Sequence, residues 1–130
     1  MVIKKRGDNY MFLFLLSTLT MLVSYLAFYM QSKKIGDKPN LFIGYRTPVS
    51  MKSEENWEFS QSYFKNVLIK SHFFLIILSI FWTIYDIITF LQKYTFIVQA
   101  AVYFISIIFI IIYTELGVKK FEKAQKNKFK

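Results

Sequence analysis

The chain has 130 residues, 55% of them hydrophobic and 20% aromatic, with a formal charge of +9 and no cysteine. That length allows one domain, but a soluble domain runs about 45–50% apolar, and here the excess is gathered into long runs. Having no Cys and a single His excludes disulfides, thiolate zinc sites and cysteine nucleophiles, and leaves a His-based metal cluster almost without ligands.

The first run, Tyr10 to Met30, holds 21 residues and no charge. A membrane-spanning helix needs roughly 20 such residues to cross a ~30 Å hydrocarbon core. Its hydroxyls, Ser17, Thr18, Thr20 and Ser24, can bond back into their own helix. Lys4, Lys5 and Arg6 before it resemble the n-region of a signal peptide. The run is longer than a usual h-region, however, and bulky Phe28, Tyr29 and Met30 stand where small residues would mark cleavage. A retained helix is expected. Two more spans follow, at 67–91 and 94–116. The chain therefore reads as an all-α membrane protein with three transmembrane helices.

Between the first two spans lie residues 31–66, too many for a bare connector. Gly36, Asp37, Pro39, Asn40, Gly44 and Pro48 make the first part rich in turn formers. The second part predicts an amphipathic helix, with Ser50 as N-cap and Glu54 and Glu55 in its opening turns. At 100° per residue, Gln61, Glu54, Lys65, Glu58, Ser62 and Glu55 fall on one arc, and Phe59, Tyr63, Val67, Phe64, Trp57 and Leu68 on the other. Such a helix either lies in the headgroup layer with Trp57 as its anchor, or uses Trp57 and Phe64 to cap the end of the bundle.

The stretch from Asn40 to Trp57 contains Asn-x-x-x-Gly-x-Arg-Thr-Pro, followed by a Ser-led helix carrying Trp. This pattern resembles the signature of the SdpI family, bacterial membrane proteins named for a sporulation-delay toxin immunity protein. Asn40, Gly44, Arg46, Thr47, Pro48 and Trp57 match it position by position. Three spans with the motif between the first two also resemble that family. Val49 stands where many relatives carry an aromatic, and Gln61 where many carry His or Asn. The resemblance implies immunity against a secreted antimicrobial peptide toxin, or signalling through a cytoplasmic repressor held at the membrane. A second class of function, a small transport or accessory subunit working as a homo-oligomer, stays open beside it.

Arg46 is one of two arginines among seventeen basic residues, and its guanidinium forks onto carboxylate or phosphate as lysine does not. Gly44 permits positive φ or close backbone approach, while Asn40 and Thr47 can bond nearby backbone groups and set a compact turn. Arg46 therefore either presents charge to an anionic partner or pairs with Glu54, Glu55 or Glu58 and pins the loop.

Asp86 and Gln99 flank the Gln92–Lys93 turn at equal distance, so they share one depth, about 9 Å from it. A carboxylate at that depth faces the bundle interior. The expected arrangement is an Asp86–Gln99 hydrogen bond with Lys93 snorkelling toward it; at the other face Lys70 and His72 are expected to meet Glu115. Helix adhesion is favoured over an ion path. No phosphate loop, triad or paired-carboxylate pattern appears, and an enzyme, a bound metal or a cofactor is not expected.

Lys4, Lys5, Arg6 and Lys93 fall on one side of the membrane and the other thirteen basic residues on the opposite side. The positive-inside rule then puts the first loop and the tail 117–130 in the cytoplasm and the N-terminus outside, in a bacterial plasma membrane. Six lysines from Lys119 to Lys130 make anionic lipid headgroups the expected partner of the tail, rather than nucleic acid.

Overall fold

A computed structural model describes residues 11–33, 38–39, 44–89 and 95–128. Three helices follow one another: α1 (Phe12–Ser32), α2 (Glu54–Thr89) and α3 (Thr95–Lys128). Each is long and apolar enough to cross a membrane, and each packs on the other two.

The bundle is built for an apolar solvent. Phe73, Phe74, Phe81 and Ile88 on α2, Phe104 and Phe109 on α3, and Leu15 and Tyr25 on α1 are all exposed, while Ser17, His72, Ser79, Asp86, Gln99 and Thr114 are buried. Lipid tails are as apolar as leucine, so burying leucine gains little, and polar groups and close packing hold such helices together. Hydroxyls that turn back on their own helix need no other partner: Thr18 Oγ1 donates to Phe14 O (2.8 Å) and Thr114 Oγ1 to Ile110 O (2.7 Å). Thr20 does the same toward Leu16 O (2.8 Å). Ser17 does not; its buried Oγ has no partner among the described residues.

Helix α2 differs from expectation. It runs unbroken for 36 residues, about 54 Å at 1.5 Å per residue, so the segment read as a separate interfacial helix is its opening turns. The N-cap is Ser53, not Ser50: Ser53 Oγ accepts from Asn56 N (3.1 Å) and Ser53 O from Trp57 N (3.0 Å). Ser50 is drawn away by the loop, as described below.

Helix α3 likewise continues through the basic tail to Lys128. The two long helices run antiparallel, and the continuation of each supports the other. Phe59 stacks on Phe121 at 4.1 Å between centroids, and Lys52 Nζ lies 2.9 Å from Glu122 Oε1. Gly117 lets the Tyr63 ring lie against α3, in space that a Cβ would occupy. Tyr45, Val49 and Val118 form a small buried cluster with Phe59 and Phe64 packed against it. The loop is thus seated on an α2–α3 platform, and Trp57, 1% exposed, is inside the protein. That is the bundle-capping alternative, not the headgroup anchor.

Candidate functional site

The motif loop is shaped by one side chain on α2. Gln61 Oε1 accepts from Tyr45 N (2.7 Å), and Gln61 Nε2 donates to Tyr45 O (2.8 Å). The amide grips both backbone polar groups of Tyr45, as a neighbouring strand would, so neither is buried unpaired. Gln31 Nε2 from the end of α1 also reaches Gln61 Oε1 (3.3 Å), tying the clamp to α1 as well. Gln61 therefore belongs to the buried side of α2, although its helical position placed it on the polar arc.

Gly44 follows from this grip. Its φ is +108°, a region that β-carbon-bearing residues rarely adopt, and a Cβ there would overlap the Gln61 amide. Tyr45 then points inward. Its ring stacks on Phe64 at 5.0 Å, and its hydroxyl lies 3.2 Å from both Ile111 O and Glu115 Oε2. Burial, and then the charge and hydrogen bond of Glu115, push the phenol well above its ordinary range. It remains a donor at any physiological pH.

After Tyr45 the chain closes a tight turn. Thr47 N donates to Ser50 Oγ (2.8 Å), Ser50 N donates to Thr47 Oγ1 (3.2 Å), and Ser50 Oγ donates back to Tyr45 O (3.1 Å). Such side-chain-to-backbone exchange makes Ser and Thr turn residues. Asn56 Nδ2 holds the far side through Val49 O (3.0 Å). Tyr45, Val49 and Ser50 are buried, while Arg46 and Pro48 are exposed.

Arg46 is thus exposed on a loop anchored through buried Tyr45, Val49 and Ser50. No ion pair joins it to a described carboxylate, so the pairing with Glu54, Glu55 or Glu58 is not formed. Glu54 instead meets Lys38 at 3.9 Å, with both side chains more than 70% exposed. Gly44, Arg46, Thr47 and Pro48 come together in the loop, and Trp57 lies buried in the first turns of α2. Asn40 lies outside the described residues.

A second polar group sits at the other end of the bundle. Asp86 Oδ2 accepts from Thr95 Oγ1 (2.6 Å) and from Gln99 Nε2 (3.1 Å), and Trp82 Nε1 donates to Thr95 Oγ1 (3.1 Å). Gln99 Oε1 accepts from Leu13 N (2.9 Å), one of the unsatisfied amides that open any helix. One glutamine therefore caps α1 and bridges α2 to α3. Nearby, the hydroxyls of Thr20 and Tyr103 bond α1 to α3. Lys93 lies outside the described residues.

Glu115 is not where sequence spacing put it. It bonds Tyr45 and lies 3.7 Å from Lys119 Nζ, whereas His72 Nδ1 turns to Leu68 O (3.0 Å) on its own helix. The antiparallel register sets Glu115 beyond Lys70 and His72, opposite the opening turns of α2. Tyr45, Ser50, Asn56 and Gln61 were not singled out as site residues. The usable signal is Gln61, an amide four residues after Trp57 on an arc otherwise made of Glu54, Glu55, Glu58, Lys65 and Ser62. Among the described residues no group of His, Asp and Glu is arranged to hold a metal ion.

Neither a curated protein nor a solved structure matches the chain. A family model does, over residues 37–114, and it is described as the SdpI/YfhL protein family. The matched region takes in the motif loop, all of α2 and the apolar length of α3. With the motif residues and three membrane-spanning helices inside or beside that match, this multi-pass membrane protein belongs to the SdpI/YfhL family.

Proposed function

We propose that this protein confers immunity against a secreted antimicrobial peptide, or signals its presence through a cytoplasmic partner, and that the Gly44–Pro48 loop is its recognition surface. The observation that carries the reading is Arg46: an exposed guanidinium without an ion pair to a described carboxylate, on a loop clamped from behind by Gln61. A fork held on a rigid support suits a carboxylate or phosphate, because less conformational freedom is lost on binding. The partner proposed is an anionic group on a cytoplasmic repressor, or on a toxin peptide that has inserted through the membrane from outside. The charge distribution supports an orientation with this loop and the tail in the cytoplasm and the N-terminus outside. The protein acts by binding and not by catalysis.

The test is a strain lacking the gene. Sensitivity to a toxin peptide should appear, be rescued by the wild-type copy, and not be rescued by Arg46→Ala at equal protein level. Arg46→Lys should restore little, since an ammonium does not reproduce the fork. Full rescue by Arg46→Ala, or a substrate-uptake defect without toxin sensitivity, overturns the reading.

A further inference from the structure

Helices α2 and α3 border an open groove of about 860 Å³. It is lined by α2 and α3 alone, from Tyr63, Asn66 and Tyr113 at the loop end to Leu78 and Val102 near the middle of the spans. Its walls change character along that length. Lys70 and Asn66 lie toward the loop end, and below them the surface is almost wholly apolar. Ser106 in the wall returns its hydroxyl to Val102 O (2.7 Å) and presents no free donor.

Two features decide what fits. Lys70 is exposed, forms no ion pair with a described carboxylate, and is the one cation in the groove lining; its Cα lies about 10 Å from the Tyr63 end, from where its long side chain can snorkel toward the headgroups. From Tyr63 to Leu78 the groove runs about 22 Å at 1.5 Å per residue, which is about half of a 40–45 Å bilayer counted with its headgroups. A groove of that length matches one leaflet rather than both.

We infer that the α2–α3 groove is a binding site for an anionic phospholipid of one leaflet, with its acyl chain along Leu78 and Val102 and its phosphate at Lys70. The site sits apart from the Arg46 loop, and the inference does not depend on the immunity reading.

The full-length protein is reconstituted in vesicles of equal parts phosphatidylglycerol and phosphatidylcholine, extracted in mild detergent, and its retained lipid is measured by native mass spectrometry. The wild type should retain phosphatidylglycerol preferentially. Lys70→Ala should reduce that preference about fivefold, the effect of one basic residue near an anionic surface, and Lys70→Arg should keep it. Lys33, also exposed and without an ion pair to a described carboxylate, lies at the end of α1 and outside the groove and the tail, and Lys33→Ala should leave the preference unchanged. Equal retention of both lipids by the wild type, or an equal loss in Lys33→Ala, overturns the site in favour of diffuse surface attraction. The chain has no cysteine, so Val102→Cys gives a single thiol in the groove. A disulfide-linked dimer of that variant in the same vesicles also overturns the site, since a second copy then fills it.

Discussion

Gln61 and Gln99 sit at opposite ends of the same bundle, and each uses both ends of its amide. Gln61 holds the two backbone polar groups of a loop residue; Gln99 takes an open helix amide on α1 and gives its own NH₂ to Asp86 on α2. The first shapes a surface loop, and the second ties helices together. The difference lies in what each leaves behind when removed. Without Gln99, Asp86 keeps Thr95 as a donor, while Leu13 N at the opening of α1 loses its acceptor. Tyr45 N has no other acceptor among the described residues, and Tyr45 O would keep only the bond from Ser50. A membrane interior also gives the less ordered chain other polar groups to pair with, so each interhelical hydrogen bond there contributes only about 0.6–2 kcal/mol.

The largest effect is expected for Gln61→Leu, which leaves a buried backbone amide unpaired and weakens the hold on its carbonyl. It should destabilise the loop by about 2–3 kcal/mol, read as faster amide exchange and protease cleavage at residues 44–50, with the helices intact. Gln99→Leu should cost less, about 1–2 kcal/mol of bundle stability in a denaturation series in detergent, with no change in loop exchange. If Gln99→Leu proves the costlier of the two, the membrane network and not the loop clamp is the more demanding element. Smallest is Lys126→Ala, which removes an i,i+4 pair from an exposed ammonium to Glu122 and should change stability by less than about 0.5 kcal/mol.

The parts of the fold legible in the sequence are those set by composition over a long window. Three uncharged or nearly uncharged runs predict three spans, because any polar group placed among lipid tails must find a partner. The equal spacing of Asp86 and Gln99 from one turn predicts their common depth, since rise per residue is constant along a helix. The motif residues Gly44, Arg46, Thr47 and Pro48 were visible as a pattern of turn-forming residues with one guanidinium among them. Gly44 needed more than the pattern. Its positive φ and the Gln61 amide against it connect positions 17 residues apart.

What escaped the sequence depended on register between helices. Ser50 and Ser53 are both credible N-caps on chemistry; the packing of Tyr45 and Val49 draws Ser50 into the loop, and Ser53 takes the cap. Trp57 and Gln61 lie on different arcs of α2, yet both are buried, because the α2 opening turns are covered by the continuation of α3 and by the loop together. Hydrophobic periodicity reports one buried stripe and not two neighbours at different angles. Sequence distance places Glu115 near Lys70 and His72, and the antiparallel register gives it Tyr45 instead.

By itself, then, the sequence determined the solvent, the number of spans and the family, because each is written in residue types along a continuous stretch. Tertiary structure alone decided that Arg46 stands outward without an ion pair to a described carboxylate while its neighbours are clamped. That outcome rests on a side-chain amide reaching a backbone 16 positions away, and such a contact exists only once the helices have set their register.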